Sequence, residues 1–189
     1  MLIALATGWQ ALFLVAGPLL AASVVLFSVT IAPMLPGLPK STAIGFAGAA
    51  LILTSGVMLG AAFAINPVLG AHLRLAHAML NLFGGAGFLI SGVAYYLVPR
   101  FAGRPLRWPR LVGFQLGLLG SGILLGAGGW AWKGFGGNAA GAVSLAHATV
   151  AVGFLLLGLM IGGTFAQRAV GSVASMTMSA GRPPLTRRG

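Results

Sequence analysis

The sequence predicts an all-α integral membrane protein, five transmembrane helices in a single bundle. Three observations carry that reading. Of 189 residues, 58% are hydrophobic and the mean hydropathy is +1.01. Only 6% are charged, and a soluble domain of this size cannot hide so much apolar surface. The apolar residues also fall into five runs, each near the roughly 20 residues that a bilayer crossing needs. Helices follow because lipid offers no partner to an unpaired backbone group.

The runs cover about residues 9–32, 42–65, 74–98, 111–130 and 143–166. The first starts near Trp9 and contains Pro18, which predicts a kink. It lacks a basic leader, so it reads as a retained helix and not as a signal peptide. Met34 to Lys40, with Pro36, Gly37 and Pro39, forms a short loop. The second run carries Gly56 and Gly60 at helix-packing spacing, with Met58 between them. Asn66-Pro67 closes it. His72 then falls in a loop before the third run. After that run comes a basic loop with Arg100, Arg104, Arg107 and Arg110. The fourth run shows a ridge of Gly113, Gly117, Ser121 or Gly122, and Gly126, small enough for close helix approach. Trp130 and Trp132 mark its end as an interface, and Tyr95, Tyr96 and Trp108 read as the aromatic belt of the opposite interface. Gly134 to Gly137 form a turn. The fifth run contains His147, Gly153, Gly158 and Gly162. Residues 1–171 therefore read as one membrane domain, and 172–189 as a basic tail containing Arg182-Pro183-Pro184.

Orientation follows from the eleven Lys and Arg. Five crossings put the loops after runs one and three on the same side as the C-terminus. That side collects Lys40, Arg100, Arg104, Arg107, Arg110, Arg168, Arg182, Arg187 and Arg188. Arg74 and Lys133 fall on the other. Basic loops stay in the cytoplasm, so the N-terminus is expected outside and the C-terminus inside, in a multi-pass protein of the cell (inner) membrane. The net charge of +11 points to anionic lipid at the basic face, or to partner subunits, and not to nucleic acid.

Composition also excludes chemistry. There is no Asp or Glu. No side-chain carboxylate can serve as general acid or base, ligate magnesium or calcium, or relay protons. There is no Cys, which removes iron–sulfur clusters, covalent haem and thiolate zinc sites. The strong ligands left are His72, His77 and His147.

Two of these share a setting. Leu75-Ala76-His77-Ala78 recurs seventy residues later as Leu145-Ala146-His147-Ala148. An ionisable ring inside a membrane helix is a functional candidate by default. Runs three and five cross in the same direction. His77 and His147 stand about three and four residues into them, about 5–6 Å below the surface at 1.5 Å per residue. Two imidazoles at one depth on parallel helices could take both axial positions of one haem b. Gly84 and Gly153, further in, would leave a smooth groove for the macrocycle. Arg74, Lys133, Trp130 and Trp132 are the polar groups available to its propionates. Met79 or Met58 could replace one histidine. Asn81 reads as an interhelical hydrogen-bond partner.

The stretch His77-Ala78-Met79-Leu80-Asn81-Leu82-Phe83-Gly84, continued through Tyr95-Tyr96-Leu97-Val98-Pro99-Arg100, resembles a segment of the haem–copper oxidase subunit I superfamily. The likeness spans residues 72–104 and is to the nitric oxide reductases and C-type oxidases. There the helix reads His-Ala-His-Leu-Asn-Leu-Gly, and its two histidines ligate two haems. The resemblance implies a haem ligand at His77. Met79 stands where the family has its second histidine. Three histidines are too few for a haem–copper centre, so no copper is expected. The resulting expectation is a non-catalytic subunit that binds one haem b and carries electrons within a respiratory or redox complex, between an outer-face partner and a quinone or other carrier. The rival expectations are a cofactor-free scaffolding subunit, which would use the glycine ridges and the basic tail, and a small transporter or metal-handling protein.

Overall fold

In the computed structural model, which describes residues 10–167, the chain forms five long helices joined by short connections. They are α1 (Gln10–Ile31), α2 (Lys40–Ile65), α3 (Pro67–Ala102), α4 (Leu111–Gly134) and α5 (Ala140–Phe165). All five are long and apolar enough to cross a bilayer, and no strand occurs among the described residues. This is a multi-pass membrane protein. Trp9 and the basic tail, with Arg168, Arg182, Arg187 and Arg188, lie outside the described residues.

The helices pack in sequence order. α1 lies on α2, α2 on α3, and α3 on both α4 and α5, which also pack tightly together. Among the described side chains of α1, Val24 alone is buried. The core runs between α3, α4 and α5, around Met79, Phe88, Leu119, Ile123, Val150 and Met160.

The largest departure from the sequence reading is the start of the third crossing. It begins at Pro67, not near residue 74, and no loop precedes it. Asn66 alone separates it from α2. Its extended backbone (φ −133°, ψ 96°) turns the chain, and its Oδ1 accepts from the Val68 amide at 3.1 Å. Pro67 then occupies the first helical position, where its missing N–H is no loss. The polar residues His72 and Arg74, which suggested a loop, ride on a helix. At 1.5 Å per residue α3 is about 54 Å long, well beyond a hydrocarbon core of about 30 Å. Its first turns can therefore stand in the polar rim.

α3 also changes its winding. Residues Met79–Ala86 form a π-helical segment. The buried stripe shows the consequence: Ala76 comes ahead of the segment, Met79 and Gly84 lie within it, and Phe88, Ser91, Tyr95 and Val98 follow. The step from Met79 to Gly84 is five residues where three or four would continue the stripe. One extra residue per turn shifts the phase, so the two halves of α3 aim at different neighbours.

Glycines let α2 and α3 meet. Gly45 lies on Gly92, Gly48 on the Phe88 ring, Gly56 on Asn81, and Gly60 on His77. On α4 the expected ridge divides. Gly122 and Gly126 face α5 and Met79, but Gly113, Gly117 and Ser121 are exposed. The stripe α4 buries is Val112, Gln115, Leu116, Leu119, Ile123 and Ala127.

Tyr95 is not part of an aromatic belt. It is 3% exposed, and its hydroxyl donates to Gln115 Oε1 at 2.7 Å. Gln115 Nε2 lies 3.5 Å from Ser91 Oγ, which donates to the Gly87 carbonyl at 2.8 Å. The cluster links α3 to α4 through polar groups that lipid could not satisfy. Tyr96 does sit at the rim, with the Arg100 guanidinium 3.5 Å from its ring centre. Nearby, the Arg107 amide donates to Thr164 Oγ1 at 3.2 Å and Trp108 covers Gly163, tying the α3–α4 loop to the end of α5.

Candidate functional site

His77 stands in the first half of α3, just before the π segment, and turns toward α2. Its Nδ1 lies 2.8 Å from the Gly56 carbonyl oxygen. A carbonyl only accepts, so this bond puts the proton of the neutral ring on Nδ1; the Asn81 amide nitrogen lies 3.2 Å from Nδ1 and 3.5 Å from Nε2, within reach of the Nε2 lone pair. Phe63 meets the ring edge-on at 5.3 Å between centroids. Gly60 leaves the space it needs: a Cβ there would come within 2.9 Å of His77 Cε1. Asn81, one turn on, donates to the His77 carbonyl at 2.9 Å. That bond lies within α3, not between helices as expected, although the amide packs on Gly56. The His77 ring is half-buried.

His147 has a different setting. It is exposed on α5, with the Trp130 indole of α4 edge-on at 6.1 Å. Its level matches the sequence reading. Met79 and Ala146, neighbours of the two histidines, both touch Gly126, so the two tetrapeptides lie at one height in the bundle. Its direction does not match. His77 points to α2 and His147 points out of the bundle, and Gly126 of α4 stands between Met79 of α3 and Ala146 of α5.

The remaining expected site residues divide in the same way. Gly84 packs against Ile52 and Ile123, and Gly153 against the backbone of Leu119. Both are helix contacts and not walls of an open groove. Met79 is 2% exposed and fills the core, whereas Met58 is 65% exposed on the outside. Arg74, Trp130 and Lys133 do come together. With His72 they line a cleft between the start of α3 and the end of α4. His72 is tied there through Nδ1 to the Gly134 carbonyl and stacks on Phe135 at 5.1 Å.

For haem, the arrangement can be tested from the donors. A ligating histidine commonly donates its other ring N–H to a backbone carbonyl, which fixes tautomer and orientation. His77 has that bond. As a pair, His77 and His147 of one chain do not converge. No group of three His, Cys, Asp or Glu able to hold a metal ion gathers among the described residues. Sequence reasoning missed Gly56 as the partner of His77. The signal was present in Gly56 and Gly60, which leave room for a ring, but the spacing did not say which ring.

Comparison with protein-family models, curated proteins and solved structures finds no match to this chain.

Proposed function

We propose that this protein is a membrane subunit that binds one haem b through His77 and carries electrons within a larger redox complex. The observation that carries the reading is the Gly56–His77 hydrogen bond. It holds an imidazole inside the bundle in the tautomer whose Nε2 can ligate. The resemblance at residues 77–100 supports the same position. The second axial ligand would come from a partner subunit, because His147 faces away from His77. The haem would supply one-electron chemistry. The chain would orient the imidazole through Gly56, brace it with Asn81 and Phe63, and set the potential by burial. The end that carries Lys40, Arg100, Arg104, Arg107 and Arg110 would face the cytoplasm of the cell membrane, where anionic lipid would bind it. Electrons would pass between an outer-face partner and a quinone or other carrier.

A second reading has its own observation. Gly56, Asn81 and Phe63 already engage the His77 ring, as they would engage a structural clip between α2 and α3. The chain would then be a scaffolding subunit without cofactor.

A dithionite-reduced minus air-oxidised spectrum of the protein, isolated gently with its partners, separates the two. The haem reading expects a sharp low-spin b-type α band that disappears in His77→Ala and persists in His147→Ala. A flat spectrum from the intact assembly overturns it in favour of the scaffold.

A further inference from the structure

We propose that the cleft between the start of α3 and the end of α4 binds the phosphate of an anionic phospholipid headgroup. The cleft holds about 170 Å³. Arg74 and Lys133 line it from two different helices, and both are exposed. Lys133 Nζ lies 5.1 Å from the centre of the Trp130 ring, which forms one wall. Ala71 and Leu75 add apolar lining, and His72 adds a further polar group. The bond from His72 to Gly134 ties the two helix ends together, so the segments that carry Arg74 and Lys133 form a fixed frame.

Charge argues for an anionic occupant. The whole chain has no Asp or Glu, so no side chain of this protein can neutralise Arg74 or Lys133. Position argues for lipid as its source. The cleft lies at the end of α4 and beside Trp130, the residue type that gathers where spanning helices meet headgroups. Basic pockets between transmembrane helices select acidic headgroups. Leu75 and Trp130 offer the adjoining apolar surface that a glycerol and its acyl chains would cover and a free anion would not use. The site is independent of His77, which lies on the α2 side of α3.

The test uses the full chain in neutral detergent, with native mass spectrometry to count bound lipid. Phosphatidylglycerol is titrated against phosphatidylcholine. Preferential retention of phosphatidylglycerol is expected. Arg74→Gln and Lys133→Gln should each weaken it about fivefold, the size of one basic residue's attraction to an anionic surface. Both residues are exposed, so neither change threatens folding. Arg110→Gln, at the other end of the bundle, removes lipid held there and should leave the further fivefold loss caused by Arg74→Gln unchanged. Equal retention of the two lipids, or no loss in Arg74→Gln and Lys133→Gln, would overturn the site. Inorganic phosphate that displaces the lipid at equal concentration would overturn lipid as the occupant and leave a free-anion site.

Discussion

His77 and His147 sit in the same four letters and reach opposite fates. In both tetrapeptides the first alanine is buried: Ala76 is 3% exposed and Ala146 is 0%. In both the leucine faces outward, with Leu75 42% and Leu145 60% exposed. The second alanines, Ala78 and Ala148, are also exposed. Each histidine thus follows a buried alanine by one residue, about 100° around its helix. On α3 that direction meets α2, with Gly56 and Gly60 cleared to receive a ring. On α5, among the described residues, the ring finds the edge of Trp130. The motif sets where a side chain points relative to its own helix. The neighbours decide what it meets.

Four measurements would break or sharpen this contrast. The largest effect is expected in the haem spectrum: His77→Ala should remove the α band entirely, and His147→Ala should leave at least half of it. Equal loss in both would mean that the two rings act on one iron. Next comes Gly60→Leu, which drives a side chain into the His77 ring. Overpacking of this kind costs about 1–3 kcal/mol, so the melting temperature in detergent should fall; the same change at exposed Gly117 should leave it in place. A smaller loss, about 1 kcal/mol, is expected for Gln115→Leu, which orphans the buried Tyr95 hydroxyl. Denaturant titration against wild type would show it, and Tyr95→Phe combined with Gln115→Leu should recover part of it. The smallest effect is His147→Ala on stability, within about 0.5 kcal/mol as for other exposed sites. A drop as large as that of Gly60→Leu would show that His147 is held by more than Trp130.

Much of the fold could be read along the chain. Run length and hydropathy placed five crossings, and Gly56 with Gly60 marked a packing face. The misplaced start of α3 has a local cause. Asn66-Pro67 both ends one helix and begins the next, and the polar residues His72 and Arg74 looked like a loop because a rim-exposed helix turn has a similar composition. The aromatic Tyr95 read as interfacial because its partner Gln115 lies on another helix, twenty residues away. On α4, glycines at regular spacing marked two faces at once, and only the packed structure separates the exposed Gly113 and Gly117 from the buried Gly122 and Gly126.

The sequence by itself determined the solvent this protein lives in, the number of its crossings and the chemistry it lacks. Those depend on composition and run length, which sum over residues whatever their neighbours. Tertiary structure alone decided that His77 meets Gly56, that His147 meets the edge of Trp130, and that Arg74 and Lys133 share one cleft. Each of these depends on the angle at which one helix faces another. A single extra residue in the π segment of α3 shifts that angle, and no local pattern records which neighbour will be there.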